Sequence, residues 1–453
     1  MKKERTSLDI ANGPLLKNIF IFAVPLMFSE MLQILFNSAD TIIVGKFAGD
    51  TALAAVGATG SIVFLLTSLF YGLSTGSNVL IARCIGNNNQ KKISDAVHSS
   101  IVIAIAGGML LTCVGVLFAR NLLEMMGTPE DIIDLSSLYM RIYFAGVISL
   151  LLYNFGSAIM RSKGDTKRPM YFMMISGIIN ILLNLFTVIV LKWSVAGVAI
   201  STVASETVSA VLVLSVLVRE NDSTRLDLLH LYAEKGSVLE IMRIGIPAGL
   251  SASVFALSNV VIQSSINSFD STDIVAGNSA GSSIENYVYI GYMAFNQANL
   301  TFTSQAIGAG RTDRVKKILI TTGLLVAGSA FLMGEIIYYG GPALLTLYTD
   351  KQEVIDVAMI RTAWVARFLA LNGTLDAFVA SLRGMGYSSL PTVLMVIGIC
   401  GIRIAWIYTV FPIMKTLKSI YLCFPVSWLF TTIVEMVLWF IVYNRVCIRK
   451  EVQ

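Results

Sequence analysis

Four polar residues in the first long apolar stretch, Glu30, Gln33, Asn37 and Asp40, are spaced three, four and three apart, which places them on one face of a helix. Such a face cannot be turned to hydrocarbon, where a charged side chain costs about 2.5–3.5 kcal/mol at the centre of a span. Asn180 and Asn184 form an i, i+4 pair well inside another apolar stretch and could share hydrogen bonds with an acid of the first. A carboxyl partly buried among neutral amides is poorly solvated, which disfavours its charged form, so Asp40 is expected to accept a proton or cation arriving from outside. The plainer alternative is that Asp40 ends its helix in the outer headgroup region, where a carboxylate costs little.

A second polar group lies in the other half of the chain. Asn259 and Gln263 are another i, i+4 pair, Glu285 is followed by Asn286, Tyr287, Tyr289 and Tyr292, and Asn372 stands one turn before Asp376. An acid among aromatic rings suits an organic cation, through charge and cation–π attraction. Tyrosines at a membrane interface need no ligand, so both readings of this cluster stand. Glu206, Glu335, Arg367, Arg403 and Glu435 are also embedded in apolar sequence and fit either cross-helix pairs or snorkelling side chains.

The elements that must position these residues follow from composition. Of 453 residues 55% are hydrophobic and 13% charged, against about 25% charged in soluble chains. Stretches of about 20 apolar residues, the length that crosses a bilayer, recur to the end of the chain. Spans are expected near 15–37, 51–76, 93–118, 134–159, 169–191, 195–218, 238–263, 274–302, 316–339, 354–381, 390–411 and 419–445. Lys and Arg collect in alternate connections, from Lys2, Lys3 and Arg5 through Lys91 and Lys92 to Arg449 and Lys450. By the positive-inside rule this predicts an even number of spans with both termini cytoplasmic. The net charge of +5 is explained by that topology and not by nucleic acid. The polar start, running to Asn12-Gly13-Pro14, predicts no cleaved signal peptide. The five cysteines and two histidines show neither CxxC nor metal-ligand spacing, so no metal or cofactor is expected.

The sequence also repeats. Pro25 and Pro247, Gly86 and Gly308, Arg161 and Arg383, Gly164 and Gly386, and Pro169 and Pro391 are each 222 residues apart. The fold expected is an all-α integral membrane protein of twelve transmembrane helices in two six-helix lobes, related by a pseudo-twofold axis along the membrane normal. Residues 1–218 form the N-lobe, 219–237 a cytoplasmic linker and 238–453 the C-lobe. Asp40 has no acidic counterpart, its repeat position being Ile262.

Several motifs resemble the multidrug and toxic compound extrusion (MATE) family of bacterial transporters. They are Pro25 followed by Phe36-Asn-Ser-Ala-Asp-Thr-Ile-Ile-Val-Gly45, Ala82-Arg-Cys-Ile-Gly86, Met160-Arg-Ser-Lys-Gly-Asp165, Ser304-Gln-Ala-Ile-Gly-Ala-Gly310 and Leu382-Arg-Gly384. The resemblance spans essentially the whole chain and implies two lobes that alternate access to a central cleft. It implies export of organic, often cationic, compounds in exchange for protons or sodium ions. Asp40 resembles the family's first-helix coupling acid, with Asn180 and Thr202 as its polar partners. Asn184 stands where relatives often have Asp, which disfavours a direct sodium site and favours protons. Glu285 resembles the family's eighth-helix glutamate.

The reading is therefore a secondary active antiporter of the bacterial cytoplasmic membrane, multi-pass and monomeric, with small amphipathic organic substrates. Its cation-coupling residues are Asp40, Asn180, Asn184 and Thr202. Gln33, Asn37, Asn259, Gln263, Glu285, Tyr287, Asn372 and Asp376 are candidates for substrate binding or second-lobe coupling. A lipid-linked oligosaccharide flippase of related fold would call for more embedded arginine and lysine, and a receptor or scaffold would not explain the duplication. An enzyme is not expected, since the spans hold no HExxH, Ser-Lys pair or acid and histidine cluster.

Overall fold

In the computed structural model residues 8–10, 12–346 and 348–448 are described, apart from the side chains of residues 256, 257 and 448. The terminal charges Lys2, Lys3, Arg5, Arg449 and Lys450, part of the orientation argument, lie outside the described residues. Helices occupy each of the twelve expected places. The first six are α1 (Leu15–Phe47), α2 (Asp50–Gly86), α3 (Gln90–Leu117), α4 (Glu130–Ala145 and Val147–Ser162), α5 (Lys167–Val190) and α6 (Ser194–Arg219). The second six are α7 (Lys235–Asn267), α8 (Thr272–Gly308), α9 (Thr312–Leu345), α10 (Gln352–Trp364 and Leu369–Gly384), α11 (Ser389–Met414) and α12 (Leu417–Cys447).

Among the described residues nine of these helices are long and apolar enough to cross a membrane, and ten if α4, bent by 46° between its segments, is one span. Of the other two, α8 falls short in apolarity because of its polar residues, and α10 is broken at 365–368 into segments of 13 and 16 residues, each short of a span. Glu285 and Asn278 on α8, and Arg361, Asp376 and Arg383 on α10, are turned inward, with Asn278, Glu285 and Arg361 buried. Polar residues lower the hydropathy of a span without preventing it, provided protein and not lipid surrounds them.

The chain packs as two compact units. Unit 1 contains residues 28–249 and unit 2 residues 9–27 with 250–453. Each boundary falls three residues past an internal proline, Pro25 in α1 and Pro247 in α7, and Phe28 and Leu250 keep the 222-residue register. The first part of α1 thus packs within unit 2 and the first part of α7 within unit 1, an exchange that a contiguous division at the 219–237 linker does not describe. In unit 2 the α1 side chains Phe20 and Phe22 meet Phe295 and Phe302 of α8 edge to face, at 5.7 and 5.4 Å between ring centroids.

In unit 1 the equivalent contact is made by glycine. Gly72 and Gly76 of α2 lie against Gly245 and Gly249 of α7, two small-xxx-small pairs on facing helices. A Cβ on Gly72 would stand 2.2 Å from the Gly249 nitrogen, and one on Gly245 would stand 2.5 Å from Leu73 Cα. The linker is also held by unit 1. Lys163 pairs with Glu220 and Asp222 at 3.1 and 2.7 Å, the Asp227 amide donates to His98 Nε2 at 3.2 Å, and the Tyr232 hydroxyl donates to Asp95 at 2.8 Å.

The glycine crossing predicts that Gly245→Val destabilises the protein by about 1–3 kcal/mol through overpacking. Gly57→Ala, at a position with open space around it, should leave the melting temperature in detergent unchanged or slightly raised. Equal melting of the Gly245 variant and the native protein would show that the crossing is not close-packed.

Candidate functional site

The polar face of α1 meets α5 through a ring laid on a glycine. Phe36 lies so close to Gly177 that a Cβ there would come within 1.7 Å of the ring. Any larger residue would push the helices apart, and this approach brings Asp40, one turn beyond Phe36, to Asn184. The Asn184 amide donates to Asp40 Oδ1 at 2.5 Å and to Asn180 Oδ1 at 3.3 Å. Immediately after Asn184 the helix widens into a π-helical turn, Leu185–Val190, a deformation that clusters at functional sites. Asn180 and Asn184 are both buried, and no described residue donates to the Asn184 carbonyl oxygen.

These residues border a cavity of about 80 Å³ in unit 1. Gln33, Asn37, Asp40, Asn180 and Thr202 all line it, so five of the residues singled out in the first half converge on one space. Asn184 stands behind it, bonded to two of them. The Thr202 hydroxyl donates to its own helix, at Val198 O, 3.0 Å away, and presents its oxygen as an acceptor. Glu30, the fourth member of the α1 face, is not part of the lining; its electrostatic partner is Arg161. Glu206 also lines the cavity, although the sequence placed it only among the embedded charges and not among the site candidates. Its signal was there: it is an embedded acid one turn from Thr202.

Unit 2 has its own cavity, of about 260 Å³, lined by Asn259, Gln263, Asn278, Glu285, Asn286, Tyr289 and Arg361 among others. Glu285 is not a free anion. Arg361 grips it with two parallel bonds, Nε to Oε1 at 2.9 Å and Nη2 to Oε2 at 2.7 Å, and its remaining Nη1 donates to Asn278 at 2.7 Å. The Arg361 guanidinium also lies 5.7 and 5.5 Å from the ring centroids of Tyr421 and Phe424. An organic cation drawn to Glu285, as the acid and tyrosine cluster suggested, would therefore have to displace Arg361. Of the tyrosines, Tyr289 lines the cavity, Tyr287 is exposed outside its lining, and Tyr292 is buried, accepting a bond from Asn372 at 2.7 Å. Asn372 and Asp376 are not part of this cavity. Arg361 was missed in the sequence, although it lies inside the expected tenth span.

The two cavities occupy repeated positions. Asn37 and Asn259, Asp40 and Ile262, Thr202 and Phe424, and Glu206 and Trp428 are each 222 residues apart, and all eight line one cavity or the other. The remaining embedded acids of unit 2 are answered unevenly, and both carboxylate oxygens of the buried Glu435 lack a hydrogen-bond partner among the described residues. Glu335 pairs with Arg367 at 2.8 Å, and Asp376 and Glu435 both have Arg383 as their opposite charge. Arg403 lies on the Phe424 ring, 4.2 Å from its centroid.

Long apolar helices with paired charges and amide-lined cavities at their polar faces define the class, a multi-pass helical membrane protein with polar cavities inside its spans. The MatE family model matches residues 25–186 and again 247–409, two copies that start 222 residues apart, and the chain belongs to this family of transporters. The probable multidrug resistance protein YoeA of Bacillus subtilis is 28% identical over 86% of this chain and 85% of its own length. The FAD transporter of Shewanella oneidensis is 24% identical over 79% and 78%. Among solved structures, a MOP superfamily transporter from Pyrococcus furiosus aligns with a TM-score of 0.91 at 20% identity, covering 98% of this chain and 99% of that one. An outward-facing multidrug resistance MATE family transporter aligns with a TM-score of 0.90 over the same shares, again at 20% identity. The all-helical MATE fold thus holds over the whole chain.

The Glu285–Arg361 geometry predicts an asymmetric response to mutation. Arg361→Met leaves a buried carboxylate without its partner and should cost about 3–5 kcal/mol, whereas the double change with Glu285→Gln should recover most of that loss. Thermal melting of the single and double variants in detergent measures both, and additive losses would show that the two side chains do not depend on each other.

Proposed function

We propose that this protein is a secondary active antiporter that exports small amphipathic organic compounds, often cationic, in exchange for protons. The observation that carries the reading is Asp40. It is a carboxyl held by Asn184 at a cavity inside the spans, and no basic side chain among the described residues is an electrostatic neighbour. Family membership and the multidrug resistance proteins among its relatives support export as the activity. Protons are favoured over sodium because the partner of Asp40 at 184 is an amide whose N–H donates to it, where a second carboxylate would favour a metal cation, and a donor facing the acid competes with such a cation for it.

The cycle follows from charge. A proton arriving from outside neutralises Asp40, which alters what the Asn184 amide can bond to and so repacks α1 against α5. A ligand or proton shifts a conformational equilibrium only through a differential interaction with its states, and the Asp40–Asn184 bond is the interaction that differs here. Both termini are taken as cytoplasmic. The moving parts are the two six-helix lobes, with residues 219–237 as the link between them.

Efflux of ethidium from reconstituted vesicles tests this directly. An imposed proton gradient should drive it and a sodium gradient of equal size should not, while Asp40→Asn should reduce efflux to the leak level although the protein inserts normally. Wild-type rates in that variant would remove Asp40 from the mechanism, and sodium-driven efflux alone would reassign the ion.

A further inference from the structure

Asp40 does not face its cavity alone. Glu206 lines the same space from α6, and its buried Oε2 has no hydrogen-bond partner among the described residues. The titratable groups in electrostatic reach of Glu206 are Asp40 from α1, Tyr71 from α2, and Tyr139 and Tyr143 from the first segment of α4. From α5 come the amides of Asn180 and Asn184, and from α6 itself the hydroxyls of Thr202, Ser205 and Ser209. No lysine or arginine among the described residues is an electrostatic neighbour of either carboxyl. Arg161 answers Glu30, and Arg141 is exposed. A second, separate sign of an absent partner is Asn184, fully buried with a carbonyl oxygen that nothing among the described residues donates to.

The contrast with unit 2 gives this arrangement its meaning. There the acid that lines the cavity, Glu285, has an arginine bonded to it, whereas this cavity is lined by two carboxyls, amides, hydroxyls and the Tyr153 phenol with no basic side chain among them. Acids buried without a fixed counter-charge draw their positive charge from solution. The space, about 80 Å³, holds water-sized species and not an organic molecule.

We propose that Glu206 is a second proton-carrying carboxyl of the exchange, so that each turnover moves one proton on Asp40 and another on Glu206. Each proton binds a carboxylate oxygen at the outer side and leaves it at the inner side, with no other bond made or broken. The proposal rests on the proton-exchange reading above and deepens it, from which ion is exchanged to how many.

Vesicles held at zero membrane potential, with a pH gradient as the only driving force, separate the two claims. Each coupled proton multiplies the limiting ethidium accumulation ratio by about tenfold per pH unit. The wild type should therefore show about a hundredfold ratio per pH unit, Glu206→Gln about tenfold, and Glu206→Asp the wild-type slope. No accumulation by the wild type under the pH gradient would overturn proton exchange itself and this inference with it. A tenfold slope in the wild type, or an unchanged slope in Glu206→Gln, would overturn the role of Glu206 alone. Should Glu206→Gln be inactive in transport, proton release on ethidium binding to the detergent-solubilised protein decides. The variant should release one proton fewer than the wild type, and equal release would overturn the proposal.

Discussion

An ionised side chain inside a bilayer must find its opposite charge, and the structure of this protein is arranged around where it does so. In unit 2 the answer is largely internal, although both carboxylate oxygens of Glu435 lack a hydrogen-bond partner among the described residues. Glu285 is gripped by Arg361, Glu335 by Arg367, and Asp376 and Glu435 share the field of Arg383. In unit 1 Glu30 is answered by Arg161, but Asp40 and Glu206 are not answered by any described residue. Desolvating an ion costs several kcal/mol even after relaxation. A region that leaves two acids unpaired is therefore one whose charge state depends on what it takes from water, which is the requirement for a site that couples transport to an ion gradient.

The helix that carries Asp40 belongs to both units. Its second part carries Gln33, Asn37 and Asp40 in unit 1, while its first part packs Phe20 and Phe22 onto α8 in unit 2. One continuous helix with Pro25 inside it spans both. Proline removes a backbone hydrogen bond and lowers the cost of bending at that point. A change in how Asp40 holds Asn184 acts on the same helix that packs within the other unit. The glycine crossing of α2 and α7 gives the repeat an equivalent exchange, but with backbone against backbone in place of ring against ring.

The helices and the repeat were legible from sequence because both rest on local signals, long apolar runs and recurrent Pro, Gly and Arg at one offset. The convergence of Gln33, Asn37, Asp40 and Asn180 was legible for a similar reason, since helical spacing already aligned each polar set and such a face cannot be turned to lipid, although a headgroup position for Asp40 stayed open. What could not be read were pairings across helices distant in sequence. Glu285 and Arg361 are 76 residues apart, and nothing in either local pattern says that the acid is spent on an arginine and not available to a ligand. Glu206 looked like one embedded charge among several, because only the packing of α6 against α1 and α5 shows that it shares a cavity with Asp40 and that no base does. The exchange of the first parts of α1 and α7 was hidden too, since a helix that is unbroken in sequence gives no sign that its neighbours change at Phe28 and Leu250.

The duplicated cavities show how one scaffold came to hold two chemistries. At the repeated positions an aspartate faces an isoleucine, a threonine a phenylalanine, and a glutamate a tryptophan, while Asn37 and Asn259 remain alike. Every change toward unit 2 replaces an oxygen ligand with apolar or aromatic surface, and the charge that enters there arrives as a matched pair, Glu285 with Arg361. The unit-2 cavity is also the larger, about 260 against 80 Å³. The larger space sets amides and aromatic rings around a balanced ion pair, and the smaller one holds two acids with no basic side chain in its lining. The helix geometry that builds a polar pocket is therefore neutral as to its contents, and the side chains at Asp40, Thr202 and Glu206 and at their repeat positions set whether a cavity presents acid and hydroxyl or apolar and aromatic surface.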